Sequence, residues 1–325
     1  MPSRDLLCRN RGGPLSIERQ NMRAPAMPEF FVWFEARKDV MFGLNDKIRL
    51  YGFNNLTKTL SFNIYDVCYA KSEKEKNAYI AYIDEQYNSD RLTRILCDVT
   101  EIIGANVLNI SKQDYDPRGA SVNILVTEES IAYDRIDPSC NRGEPVGFSN
   151  GCLTGPATEP GALLGHLDKS HLTVHTYPEF HPELDISTFR VDIDVATCGK
   201  VSPLSALNHM IASFDSDIIT LDYRVRGFTR DLQGNKYYID HDITSIQNFI
   251  DKQTLRRYDA IDMNIYQSNI FHTKMMVNEI NLAHYLFNVD PSELPPSERL
   301  SIRDRLSREM LEIFYGTNIY SEESR

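Results

Sequence analysis

Apolar residues recur at helical spacing between Asp90 and Ile103, where Leu92, Ile95, Leu96, Val99, Ile102 and Ile103 make a stripe. Asp90 is placed to cap this helix and Gly104 to close it just beyond its last turn. The period then changes. Val107–Ile110 reads as a strand and Gly119–Val126 as its hairpin partner, with Asp116-Pro117-Arg118-Gly119 supplying turn chemistry between them. Periodicity lapses from Thr127 to Gly165, where Pro138, Pro145, Pro156, Pro160 and many glycines describe an exposed loop. It resumes at His171–Thr176, which is β-branched enough for a strand, and in Phe189–Thr197, which alternates apolar and polar residues. Ser202 and Pro203, as N-cap and first helical residue, open a helix to about Phe214, and Ile218–Val225 returns to strand. Leu300, Ile302, Leu306, Met310, Leu311, Ile313 and Phe314 lie mostly along one broad face of a closing amphipathic helix. This order predicts an α+β fold with helices packed on one face of an antiparallel sheet.

Composition narrows the function classes. The 325 residues are 42% hydrophobic and 25% charged, ordinary for a globular chain with a substantial core. The formal net charge is −11 and no block of Lys or Arg stands out, so a nucleic-acid partner is not expected. Such a balance suits a cationic small molecule. Cys8, Cys68, Cys97, Cys140, Cys152 and Cys198 have no CxxC spacing, which argues against a disulfide framework or a zinc ribbon. The longest apolar run, Phe30–Phe34, is far too short to span a bilayer, and residues 1–28 lack a signal-peptide core. A reduced, cytoplasmic setting without membrane contact is therefore expected. Residues 1–46 read as an appendage, disordered or preceding a true start near Met41, and the body begins near Lys47.

The chemistry concentrates in one stretch. Lys169-Ser170-His171 opens the run Lys169-Ser-His-Leu-Thr-Val-His-Thr-Tyr-Pro-Glu179, and Cys198 follows in Ala196-Thr-Cys-Gly199. Taken singly, a serine is usually a surface hydroxyl and a buried cysteine a small hydrophobe. His166, His171, His175 and His181 offer a metal cluster as an alternative, but their spacing fits no zinc motif and HExxH is absent. In a strand His171, Thr173 and His175 share one face and Ser170 points away, so His175 reaches Ser170 only if the chain bends before the regular strand.

Taken together, these words resemble the bacterial, pyruvoyl-dependent S-adenosylmethionine decarboxylases. Tyr51-Gly-Phe-Asn-Asn-Leu-Thr-Lys58, Gly104–Ile110, Asp222–Arg230 and Asn269–Lys274 look like the longer class of that family. The likeness runs from about Lys47 to Gly316, and from Tyr51 to Arg230 it extends, more distantly, to the shorter class. The resemblance implies a catalytic unit at 47–230, a C-terminal segment at 231–325 packed on it, and an α/β sandwich with the antiparallel sheet covered by helices. It implies cleavage between Lys169 and Ser170. Ser170 becomes a pyruvoyl cofactor that forms a Schiff base with the substrate, His175 is the proton acceptor in processing, and Cys198 is the proton donor in decarboxylation. Imidazole, with an ordinary pKa of about 6.5, suits proton transfer near neutrality, and a thiol near 8.5 stays mostly protonated there. The family further implies magnesium, without ligands named here, and an oligomer of the cleaved chains such as four alpha/beta pairs. The implied product is the aminopropyl donor for spermidine. Rival readings are a non-catalytic paralogue that activates a true decarboxylase, a same-fold enzyme acting on ornithine or arginine, and a metal hydrolase.

Overall fold

The computed structural model describes residues 55–116, 118–127, 170–181, 185–198, 201–214, 216–231 and 233–319. The appendage, the Phe30–Phe34 patch, most of the 127–165 loop, His166 and Lys169 lie outside the described residues. The first elements are β1 (Thr57–Tyr69), α1 (Glu73–Gln86), α2 (Ser89–Ile102), β2 (Asn106–Asp114), β3 (Ala120–Thr127), β4 (Ser170–Phe180) and β5 (Ile186–Cys198). A 3-10 turn at Pro203–Ala206 leads into α3 (Leu207–Ser213) and β6 (Ile218–Arg226). There follow a small ribbon of β7 (Thr229–Arg230) and β8 (Lys236–Tyr237), α4 (Lys252–Leu255), β9 (Tyr258–Asp262), β10 (Ile270–Val277), α5 (Leu282–Tyr285) and α6 (Pro296–Tyr315). Eight strands make one sheet in the order β2-β3-β4-β5-β1-β6-β10-β9, each antiparallel to its neighbours. The fold is α+β, as the pattern predicts.

Period-two alternation gives the sheet two unlike faces. Leu60, Phe62 and Ile64 of β1, Leu172 and Val174 of β4, and Val191, Ile193 and Val195 of β5 are buried on one face. Tyr79, Ile80 and Ile83 of α1, Leu92, Leu96 and Val99 of α2, and Leu207 and Met210 of α3 close over them. The residues in between face the other way. At one end of that second face Val67, Tyr69, Ile186 and Ile218 are covered by Ile302, Leu306, Met310 and Phe314 of α6. Asp217 fastens this end, accepting the Val67 amide and the Tyr285 hydroxyl, both at 2.7 Å. Towards the opposite edge the second face is polar.

Several boundaries differ from expectation for identifiable reasons. The α2 helix is capped by Asn88, whose carboxamide oxygen accepts the Arg91 amide at 3.0 Å, while Asp90 pairs with Lys112 instead. Gly104 does take a positive φ, of 79°, beyond the helix. Ser202 makes no cap bond, and the segment after it begins as a 3-10 turn. The helices do not all share one face, because β9 and β10 carry the chain past the sheet edge and bring α6 back on the other side. On α6 the buried residues fall at strict four-residue steps, so Leu300 is left 61% exposed, outside the expected stripe. Gly227, at the end of β6, has a φ of 83°, and a Cβ there would lie 2.4 Å from the Asn55 carbonyl.

Leu96 is fully buried between α2 and the sheet. Leu96→Ala is expected to cost about 2–5 kcal/mol through lost transfer energy and the cavity left behind. Urea unfolding at constant m measures it, and a cost well below 1 kcal/mol would contradict this packing.

Candidate active site

Antiparallel pairing places the start of β4, the end of β5, the start of β1 and the end of β6 on one edge of the sheet. His171 pairs with Ala196, Thr57 with Cys198, and Thr57 also with Arg226. Ser170 and Cys198, 28 residues apart, meet there. The Ser170 hydroxyl oxygen lies 3.2 Å from the Cys198 sulfur and accepts the Cys198 backbone N–H at 3.2 Å. Ser170 is buried while Cys198 is exposed, so the hydroxyl sits inside the edge and the thiol at its mouth. The amide fixes the hydroxyl's rotamer, and the thiol is a proton-bearing side chain in direct contact with it.

His175 is placed elsewhere. Ser170, Leu172, Val174 and Thr176 alternate as the buried side of β4, and His171, Thr173 and His175 form the half-buried side. Ser170 is already within the regular strand, as its first residue, and pairs with Val126 of β3. Five residues of strand at about 3.3 Å each separate Ser170 from His175 by about 16 Å. His175 is flanked in register by Ser121 and Asp192, and its ring stacks with Tyr177 at 6.4 Å between centroids. It belongs to the polar part of the second face. There Thr173, Asp194, Ser61, Asp222 and His272 align across five strands, with Ser61 donating to Asp194 and the His272 Nδ1 bonded to Asp222 at 2.6 Å. One chain therefore brings Ser170 and Cys198 together and leaves His175 apart.

The chain is similar over its length to curated proteins of known name. It is 68% identical over 280 residues to the S-adenosylmethionine decarboxylase proenzyme of Clostridium perfringens, covering 86% of this chain and all of that one. The proenzyme of the same name from Clostridium beijerinckii matches with the same identity and coverage. This chain belongs to the S-adenosylmethionine decarboxylase proenzyme family. A family model described as S-adenosylmethionine decarboxylase matches residues 82–227, which span the Ser170 and Cys198 edge. A crystal structure of the adenosylmethionine decarboxylase from Aquifex aeolicus covers 59% of this chain and 96% of its own at 13% identity, with a TM-score of 0.26.

The decarboxylase carries a second cluster that its sequence half conceals. Lys58 occupies a core-facing position of β1 between Leu56 and Leu60, and is 1% exposed. Its ammonium donates to Asp240 at 2.7 Å. The other Asp240 oxygen lies 2.8 Å from His241 Nδ1, and the other ring nitrogen, Nε2, lies 3.2 Å from the Tyr223 hydroxyl. Burial, then the neighbouring Asp240 charge, push the Tyr223 phenol far above its ordinary range, with Ser202 offsetting part of this by a side-chain hydrogen bond. Burial works against the Asp240 carboxylate, but hydrogen bonds from His241 and Lys58 outweigh it and hold the pKa below the usual range. The sequence signal was a lysine on the apolar parity of an alternating run.

Asp222, Asp240, His241 and Asp242 are the carboxylate and imidazole groups a magnesium ion could be sought among. Among the described residues no three His, Cys, Asp or Glu side chains converge on a metal position, and Asp222 and Asp240 are engaged by His272 and Lys58. The described residues do not assemble a magnesium cage. A held hydroxyl with a thiol beside it is compatible with a cofactor that would be made from Ser170. Among the described residues no helix is long and apolar enough to cross a membrane.

Asp240→Asn would leave the Lys58 ammonium buried without its carboxylate, at an expected cost of about 3–5 kcal/mol in urea unfolding. A carboxylate held below its unfolded pKa stabilises the fold above that unfolded value, about 3.9, and the contribution is lost as pH falls through the folded pKa. The acid slope of wild-type stability should accordingly be shallower in Asp240→Asn. An unchanged slope would remove Asp240 from the acid response.

Proposed function

We propose that this chain is a self-processing decarboxylase of S-adenosylmethionine whose pyruvoyl group comes from Ser170, and that its product is the aminopropyl donor for spermidine synthesis. The observation that carries the reading is the 3.2 Å approach of the Ser170 hydroxyl to both the thiol and the amide of Cys198, in a chain of this family. In processing, the Ser170 oxygen attacks the Lys169 carbonyl carbon and the Lys169–Ser170 amide bond breaks, giving an ester and a free Ser170 amine. A base removes the Ser170 α-proton, the Cβ–Oγ bond breaks, and the upstream chain departs as a carboxylate. The dehydroalanine that remains tautomerises, and water replaces its nitrogen, which leaves as ammonia. When formed, the pyruvoyl group supplies the electron sink that decarboxylation of an amino acid needs. The chain's own part is then to hold the substrate at the sheet edge and to deliver a proton, and Cys198 is the donor in place.

His175 is the proposed proton acceptor in processing. Its place on the polar second face favours delivery from a second copy of the chain, set face to face with the first, in keeping with an oligomer of cleaved chains. This reading also gives the polar residues around His175, Asp192 and Asp222 a surface to meet.

Ser170→Ala is expected to stay at full mass and inactive, because no nucleophile remains. Cys198→Ala should still cleave but lose decarboxylation by two orders of magnitude or so, the usual size of a lost proton donor. Denaturing intact mass and carbon dioxide release from labelled substrate measure the two, and a cleaved Ser170→Ala chain would sink the mechanism. Co-expression of Ser170→Ala with His175→Ala tests the second copy. Cleavage of the His175→Ala chain only in the mixture is the expected result, and its absence would place His175 outside processing in trans.

A further inference from the structure

Cys198 is the last residue of β5, and the described residues on either side of it, Thr197 and Val201, are tied to the buried cluster behind the strand end. Thr197 pairs with Lys58 and its hydroxyl donates to the Val201 carbonyl at 3.1 Å. Behind them Tyr223 bonds His241, His241 bonds Asp240, and Asp240 returns to Lys58, while Ser202, next to Val201, holds part of the rise in the Tyr223 phenol pKa in check. The contacts make a ring of links beneath the end of β5.

Such a ring is not what core packing alone would select. A fully buried ammonium is costly to desolvate, and an apolar side chain of similar volume would fill the position between Leu56 and Leu60 without that cost. What the ring provides is one geometry, because each link constrains the next. Two of its members, Asp240 and His241, come from beyond residue 230, whereas the strand end they brace belongs to the Ser170 edge.

We propose that Lys58, Asp240, His241 and Tyr223 are positioning residues that hold the end of β5, and with it Cys198, for proton delivery, so that the C-terminal part of the chain governs how faithfully the proton is placed. The inference rests on the function proposed above. A proton placed on the substrate carbon completes a turnover. A proton placed on the carbon derived from Ser170 leaves the substrate nitrogen on the chain, with water supplying the oxygen of the aldehyde released, and the downstream fragment then begins with alanine and is dead. The ratio of these outcomes reports the position of the donor and not the stability of the fold.

Tyr223→Phe keeps the aromatic side chain and loses only the hydroxyl link to His241, and His241→Ala breaks the next link, while Lys58 and Asp240 stay paired in both. The full-length variants are compared with wild type for cleavage by intact mass, melting temperature, kcat and KM for S-adenosylmethionine, and N-terminal alanine formed per turnover. Cleavage and melting temperature should match wild type. kcat should fall by about tenfold to a hundredfold at unchanged KM, the usual effect of a slightly misplaced group, and alanine per turnover should rise several-fold. His241→Gln, whose amide again offers Tyr223 a partner, should recover part of the loss. Wild-type kcat and alanine yield in both variants would overturn the proposal. So would lost cleavage, or a rate loss fully matched by a lower melting temperature. A wild-type chain that neither cleaves nor decarboxylates would instead count against the function itself.

Discussion

The antiparallel ladder between β4 and β5 is the constraint on which the site depends. Its register sets His171 against Ala196, and so brings the first residue of one strand to the last residue of the other. Nothing local to Ser170 or Cys198 could achieve this, since they are 28 positions apart in the chain. The register itself is held by the buried face. A slip of one residue would turn Leu172 and Val174 towards the polar side and expose most of the core-facing set of β4. The 3.2 Å contact at the edge therefore takes its precision from apolar packing some distance away.

The same packing defines where polarity is tolerated. On the helix-covered face the polar exceptions are small hydroxyls, among them Ser170, Thr176 and Thr197, and one charge, Lys58, whose ammonium is paired with Asp240. On the opposite face polarity is general and runs in register across five strands, with α6 covering the far end alone. The two faces thus present the site edge with different environments: a dry one behind the end of β5, and a wet one carrying His171, His175 and Arg226.

Much of this was legible in the sequence, in proportion to how local each signal is. The stripe from Leu92 to Val99 specifies α2 because helical contacts repeat within a few residues, and the alternation from Phe189 to Thr197 specifies β5 for the same reason. β1 was harder to see, since Lys58 interrupts the alternation of Leu56, Leu60, Phe62 and Ile64 with a charge whose partner is 182 residues away. The cap of α2 was misplaced by two residues because Asn88 and Asp90 are both competent and only the distant Lys112 decides between them. Ser170 and Cys198 were identified from wording, yet their contact follows from pairing that no spacing encodes. The separation of His175 from Ser170 follows from strand parity and length, once the strand is known to include Ser170.

On the proposed reading, parity and pairing also explain how one constellation serves two reactions. Before cleavage the Cys198 amide and thiol hold the Ser170 oxygen at the edge. That oxygen leaves with Lys169 when the Cβ–Oγ bond breaks, while the Ser170 carbons stay at the start of β4, fixed by the ladder to Val126. The Cys198 amide and thiol do not move with the departing chain, because β1 and the ring through Lys58 anchor them from the other side. The group that held the hydroxyl in the precursor is thereby left facing the space the oxygen vacated, next to the newly formed carbonyl carbon. A single placement, set by strand register, makes Cys198 first a clamp and then an acid.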